Sequence, residues 1–329
     1  MAVSLSPFLS IIMPVYNRAP FVARAIRSCL TQDVADFELM IVDDASTDNS
    51  VAVIEQFDDA RIRLLRHDRN RGRCPARNTA MAAARGNWFV FLDSDDELLP
   101  GALAAIQRRA AAAPPAVVGL RFMCIDEEGL SPVPSHHDCD WTYEDYLRWL
   151  DASLDGRQEA LPCARSSTSG AVRYAEGHAS EASYHLALAR AGLLTACTDV
   201  VRRYHHDAPN RITRPLLGRD VTYAADVADD TRHILAEHGD ALLKWAPRSY
   251  WMLVAGAAAA SFLAGRRGDG LRYSLQALRI RPFSVRLCAV GVLGMAGAYP
   301  LAFVQWIRSS VAAGVAARRR ASLRSSVAG

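Results

Sequence analysis

Short apolar runs and amphipathic stretches alternate along the first part of this chain. Phe8 to Val15 is an apolar run of strand length, and Tyr16-Asn17-Arg18 follows as a turn. Phe21, Val22, Ala25, Ile26, Cys29 and Leu30 then recur at the spacing of one helix face. Phe37 to Val42 reads as a second buried strand, and Ser46-Thr47-Asp48 supplies capping side chains for a helix through Val51, Ile54 and Phe57. Ile62 to Leu65 is a short third strand, Asn70 to Pro75 a loop, and Ala76 to Arg85 a helix. That helix leads into Trp88 to Leu92, five apolar residues that read as a strand buried on both faces. Strand and helix alternating in this way predict a parallel α/β sheet. Val117 to Ile125 reads as one more strand, and Tyr143 to Leu150 as a short helix in a stretch of otherwise weak periodicity between 131 and 165.

Two of these strands end in acids. Asp43-Asp44 closes the second, and Asp93-Ser-Asp95-Asp96-Glu97 closes the run from Trp88. In an open α/β sheet the carboxyl ends of the strands are where ligands bind. Asp93 and Asp95 would point the same way in extended backbone. Two carboxylates about 4 Å apart repel by roughly 4 kcal/mol at an effective dielectric of 20. A hard divalent cation such as Mg²⁺ or Mn²⁺ removes that repulsion; an acidic loop open to water, capping the helix near Pro100, is the plainer reading. No Gly-x-Gly-x-x-Gly follows the first strand, so a dehydrogenase-type dinucleotide site lacks its fingerprint.

Composition adds three constraints. At 329 residues, half of them apolar, the chain can bury two cores. Its seven cysteines include no Cys-x-x-Cys pair, which argues for a reducing compartment and against a zinc site. His136-His137-x-Cys139 resembles a metal-ligand cluster but has no partner pair at zinc spacing. The net charge of +3 conceals an asymmetry, because 34 of the 35 acids but only 25 of the 38 basic residues precede Ala241. An acidic body and a basic tail imply separate tasks.

Four motifs in order, Ile12-Met-Pro-Val-Tyr-Asn-Arg18, Leu39 to Asp48, Asn70-Arg-Gly-x-x-x-Ala-Arg-Asn78 and Phe91-Leu-Asp-Ser-Asp-Asp96, resemble the glycosyltransferase family 2 pattern. The resemblance covers roughly residues 8 to 130. It implies a GT-A fold, an α/β class with a Rossmann-like sheet, and inverting transfer of a sugar from a nucleotide donor. It further implies that Pro14, Tyr16, Asn17, Asp44, Arg77 and Asp93 line the nucleotide, with Asp44 reading the base. Asp95 would bind Mn²⁺ or Mg²⁺, with Asp93 or Asp96 in support. The family usually carries a Glu-Asp pair whose aspartate is the general base. Here the matching stretch reads Gly177-His-Ala-Ser-Glu181-Ala182, so Glu181 is the candidate base, unless it is only an acid at a helix start. His178 and His185 are then the alternatives. Arg203 to Thr213 resembles the histidine-containing segment that closes the family's domain, and His205 or His206 could reach the metal or the phosphates.

The C-terminal third reads as helical, with helices over Asp226 to His238, Tyr250 to Gly265 and Leu271 to Ile280. Gly268-Asp-Gly270 looks like the turn of a hairpin similar to one tetratricopeptide unit. Leu287 to Ile307 is free of charge and long enough to span a bilayer, to lie in its interface or to be buried. The arginines at 318–320 and Arg324 suit an anionic membrane surface, and no aromatics interleave with them as nucleic-acid binding would favour. These features predict a transferase domain over 1–215, with a nucleotide half to about 130 and an acceptor half beyond it. A helical, basic region follows over 216–329. The expected protein is a non-processive, metal-dependent hexosyltransferase, since neither several spans nor a Gln-x-x-Arg-Trp element occurs. It would use a nucleotide-sugar donor of the UDP class and a glycan or lipid-linked acceptor, in the cytoplasm at the inner face of the cell membrane. The competing reading is a catalytically impaired module of the same fold that binds a nucleotide sugar or a partner.

Overall fold

The computed structural model describes residues 6–126, 137–152, 159–176, 181–207 and 221–281. The chain divides into two compact units, Met1–Pro209 with Ala236–Ser249, and Asn210–Leu235 with Tyr250–Gly329. The expected boundary at 215/216 lies outside the described residues, and the return of 236–249 to the first unit was not anticipated.

The first unit begins as the apolar pattern dictates. β1 (Leu9–Val15), α1 (Ala19–Leu30), β2 (Phe37–Asp43), α2 (Ser50–Ile54), β3 (Ile62–Arg66), α3 (Arg73–Ala83) and β4 (Trp88–Phe91) follow one another. β1 pairs in parallel with β2 and β4, and β2 with β3. β2 and β4 are buried along their whole length, as strands covered on both faces must be. Ile11, Met13, Leu39, Ile41 and Val90 form the core with Val22, Ile26 and Cys29 of α1. The chain closes up tightly where α3 turns into β4. A Cβ on Gly86 would lie 2.6 Å from the Ser10 amide nitrogen, so only glycine fits there.

Beyond β4 the sheet departs from the parallel expectation. β5 (Glu97–Leu98), α4 (Ala102–Ala112), β6 (Val117–Ile125), β7 (Cys139–Trp141), α5 (Tyr143–Ala152), β8 (Ala160–Arg165), α6 (Ser166–Ser169), α7 (Ala182–Ala191) and β9 (Leu193–Arg203) complete the unit. The strand order is β3-β2-β1-β4-β8-β6-β9-β5, with β7 on β9. β8 runs antiparallel to both β4 and β6, and β9 runs parallel to β6. The sheet is therefore mixed. The antiparallel β8 starts at the carboxyl end of β4, and this places its first residues beside the acids that follow β4.

α8 (Val221–Trp245) carries the chain from the second unit into the first, and α9 (Pro247–Leu263) carries it back. α10 (Arg267–Ile280) follows. The turn between α9 and α10 sits at Gly265, in the left-handed region at φ +76°, so Gly268-Asp-Gly270 lies inside α10 instead of forming the turn. Gly270 allows close packing, since a Cβ there would meet the Phe262 ring at 2.7 Å. Among the described residues no helix is long and apolar enough to cross a membrane. The run 287–307 and the arginines after it lie outside the described residues.

Candidate functional site

The carboxyl ends of β1 and β2 are tied to each other before any ligand is considered. Asn17 adopts a left-handed backbone, φ 51°, which asparagine tolerates better than most residues. Its side-chain oxygen accepts from the Thr47 amide at 2.8 Å, and its own amide donates to Ser46 Oγ at 3.0 Å. The Arg18 amide donates to Ser50 Oγ, and the Ala19 amide to Asp48. Asn17 and the Ser46-Thr47-Asp48 segment thus form a fixed rim, from which Tyr16 projects 40% exposed. Pro14 is the penultimate residue of β1 and is half-buried. Asp44 is buried and accepts from the amides of Arg71 at 2.9 Å and Gly72 at 2.7 Å, with His67 Nδ1 at 2.6 Å. Three of roughly four acceptor positions on this carboxylate are therefore occupied by its own chain. His67 is itself held through Nε2 by Thr79 of α3.

After β4 the backbone turns instead of extending, and the Asp96 amide donates to the Asp93 carbonyl at 3.1 Å. The turn brings carboxylate oxygens of Asp93, Asp95 and Asp96 within 4.8 Å of one another, the one candidate metal group among the described residues. Asp96 is buried, not open to water as a surface acidic loop would be. Burial pushes its carboxyl up to about 8; Arg202 opposes this, while Asp93 and Asp95 add to it. Burial and then Asp93 also raise Asp95, against Arg18. Arg18 Nε is 3.6 Å from Asp95, and Arg24 donates to the Asp95 carbonyl at 2.6 Å. Three converging carboxylate oxygens, with Asp95 and Asp96 both pushed toward the neutral form, are the donor set a hard divalent cation favours, so these residues fit Mg²⁺ or Mn²⁺.

Arg77 is not a solvated helix arginine. It is 3% exposed and donates to Asp93 at 2.7 Å while also pairing with Glu181. Its guanidinium lies 5.5 Å from the centroid of Tyr174 and 5.9 Å from that of Phe91. Tyr174 stacks on Tyr184 at 3.9 Å, and Phe91 meets both edge-on. The neighbouring Asn78 fixes Tyr174 by donating to its carbonyl and accepting from its amide. The Arg77-Asn78 dipeptide thus builds an aromatic wall and sets a cation against it.

Glu181 stands at the N-cap of α7 but makes no capping bond with its side chain. Its carboxylate pairs instead with Arg77, with Arg73 Nε at 3.0 Å and with His185 Nε2 at 3.7 Å. Burial raises this carboxyl, but Arg77 and Arg73 outweigh it and hold the group well below the usual range. Burial depresses His185 to about 4, so its ring is neutral near pH 7.

His206 lies 3.9 Å from Asp126, and His205 pairs with Glu97 at 2.6 Å while its amide donates to Asp96. Neither histidine belongs to the acidic group at 93–96. His137 and Cys139 do not belong to it either, and His136 and His178 lie outside the described residues. Sequence reasoning missed Arg73, Arg202 and Glu159. Arg73 stands one helical turn before Arg77, a legible spacing. Arg202 joins Asp96 at 3.1 Å to Glu159 at 3.0 Å, a link made by two strands the pattern did not reveal. A separate cleft of about 310 Å³, lined by Phe8, Trp88, Ala110 and Arg165, is at the amino end of β1 and β4 and contains none of these groups.

Residues 10–164 match the family model described as glycosyl transferase family 2. The chain is 41% identical over 112 residues to the succinoglycan biosynthesis protein ExoO of Rhizobium meliloti, covering 34% of this chain and 32% of that protein. It is 44% identical over 88 residues to the UDP-Glc:alpha-D-GlcNAc-diphosphoundecaprenol beta-1,3-glucosyltransferase WfgD of Escherichia coli, covering 27% and 35%. The chain therefore spans about a third of the length of these curated relatives. Among solved structures, S. aureus TarS 1-349 in complex with UDP-GlcNAc superimposes with a TM-score of 0.60 at 16% identity, covering 87% of this chain and 88% of that one. That likeness concerns the fold, a mixed α/β sheet of the GT-A type followed by helices. Residues 10–164, a little under half of the chain, thus carry the match to glycosyl transferase family 2.

Proposed function

We propose that this chain transfers a hexosyl unit from a nucleoside diphosphate sugar, of the UDP class, to a hydroxyl of a glycan or lipid-linked acceptor. Transfer is inverting and adds one sugar at a time. The observation that carries this reading is the turn after β4, where Asp93, Asp95 and Asp96 converge beside Arg18 and Arg77. Tyr16, Pro14 and the Asn17 rim offer one wall for the nucleoside, and Asp44 keeps one acceptor position for its base. Asp95, with Asp93 and Asp96, would hold Mn²⁺ or Mg²⁺, and His206 is the outer candidate. The cation would neutralise charge on the departing nucleoside diphosphate. Arg77 keeps Asp93 oriented, and Arg18 carries the positive charge nearest Asp95. The names of relatives support the donor and acceptor classes: WfgD acts with UDP-Glc on a diphosphoundecaprenol-linked sugar, and TarS was crystallised with UDP-GlcNAc.

An acceptor anchored in lipid places the work at a membrane surface. We assign the basic C-terminal region to peripheral contact with the inner face of the cell membrane, since its arginines suit anionic lipid.

The decisive assay is nucleoside diphosphate release from a panel of UDP-, GDP- and dTDP-sugars, with polyprenyl-diphosphate sugars as acceptors and Mn²⁺ or chelator present. Acceptor-dependent, cation-dependent release from one donor is the expected result. A panel in which no donor is consumed under any condition overturns the reading.

A further inference from the structure

We infer that Glu159, positioned by Arg202, is the carboxylate that accepts the proton from the acceptor hydroxyl, and that Glu181 serves to fix Arg77 and Arg73. The inference rests on the transferase reading above and assigns a residue within it.

An inverting displacement needs one basic group beside the incoming hydroxyl, near the reaction centre but outside the donor's own ligands. Among the described residues, Glu181 and Glu159 are carboxylates tied by arginines to the acidic turn that meet the second condition. Glu181 is poorly suited to the first. One of its oxygens lies against both Arg73 and Arg77, and the other faces His185. A carboxylate so engaged is ionised but weakly basic, and drawing it away would strip the buried Arg77 of one of its two carboxylate partners.

Glu159 has a different environment. It immediately precedes β8, the strand inserted antiparallel between β4 and β6, and so lies at the carboxyl end of β4 where Asp93 begins the turn. One of its oxygens accepts from Arg202 at 3.0 Å, and its side chain is 39% exposed. The same guanidinium reaches Asp96 at 3.1 Å and donates through Nε to Cys124 Sγ at 3.1 Å. Arg202 is itself 3% exposed and anchored in β9. It therefore works as a rigid spacer, fixing Glu159 relative to the acidic turn while leaving it open to solvent. The net effect of its surroundings on Glu159 favours basicity, with burial as the main cause. Burial raises its carboxyl, Arg202 opposes, and Asp93 and Glu181 raise it further.

In the step, the acceptor O–H proton passes to the Glu159 carboxylate. The oxygen's electron pair forms the new bond to the anomeric carbon. The bond from that carbon to the diphosphate oxygen breaks, and its electron pair leaves with the nucleoside diphosphate. A proton is gained by Glu159, and no oxidant or reductant takes part.

Three variants, Glu159→Gln, Glu159→Asp and Glu181→Gln, test this in the full-length chain, with turnover measured against pH and UDP affinity measured by calorimetry in Mn²⁺. Glu159→Gln should lose about 10²- to 10⁴-fold in kcat, the usual worth of a general base, while UDP affinity holds. It should also lose the acidic limb of the pH profile. Glu159→Asp should keep that limb at a reduced rate, and Glu181→Gln should keep it whatever its rate. Loss of the limb in Glu181→Gln with its retention in Glu159→Gln would overturn the assignment. So would Glu159→Gln turnover within about tenfold of wild type. Absence of any transfer by the wild-type chain would instead overturn the transferase reading beneath it.

Discussion

His185 shows how a single residue in this site couples chemistry to stability. Its ring is buried behind Glu181 on α7, and burial, opposed by the Glu181 contact and aided by Arg121, lowers it from 6.5 to about 4. Between those values the unfolded chain binds the proton more readily than the folded one. Stability from this group is therefore fully present above about pH 6.5 and is lost as pH falls toward 4. His185→Gln should flatten that slope. Urea midpoints of wild type and variant compared from pH 5 to pH 6.5 read the effect as a difference in slope, because other groups that titrate there, such as the raised Asp96 carboxyl, are common to both proteins. A variant that retains the wild-type slope would contradict the assignment. The aspartates at 93, 95 and 96 were legible as a candidate group through the ordered set of four motifs, since the acidic run by itself read equally as a surface loop. The position of Arg77 was legible, but its burial was not, since helical spacing says nothing about what packs over it. Glu159 was invisible as a site residue, because its place depends on the direction of a strand.

At the scale of elements, the first seven were readable because their apolar periods are unmixed. α3 starts at Arg73, ahead of the expected Ala76, with Gly72 at φ 96° as its N-cap. The failures cluster after β4 and share a cause. β8 contains Pro162, and proline in a run argues against a central strand, yet this one pairs on both sides. β9 interrupts its apolar positions with Thr195, Thr198 and Asp199, and its pairing with β6 shifts register more than once, so no clean alternation survives. Because Glu159 immediately precedes β8 and Arg202 lies on β9, missing the two strands meant missing one side of the candidate site. Four motifs mark the first half of this unit in sequence; the other half is assembled by long-range pairing that local pattern does not encode.

At the scale of the whole molecule, the charge asymmetry is what the proposed membrane contact rests on. The acidic turn lies in the first unit, whereas the excess of basic residues comes after Ala241. Deleting residues 284–329 should therefore reduce flotation with vesicles containing anionic lipid and leave nucleotide binding intact. Equal flotation of the two proteins, or a full-length chain that never floats at low salt, would count against membrane contact through this region.

The central claim is that Asp93, Asp95 and Asp96 hold a divalent cation for a nucleoside diphosphate. Calorimetric titration of UDP in Mn²⁺ and in chelator, for wild type and Asp95→Asn, tests it most directly. The account predicts binding in wild type with Mn²⁺, and a loss of at least about tenfold, worth roughly 1.4 kcal/mol, in chelator and in the variant. Equal affinity in all four titrations would contradict it.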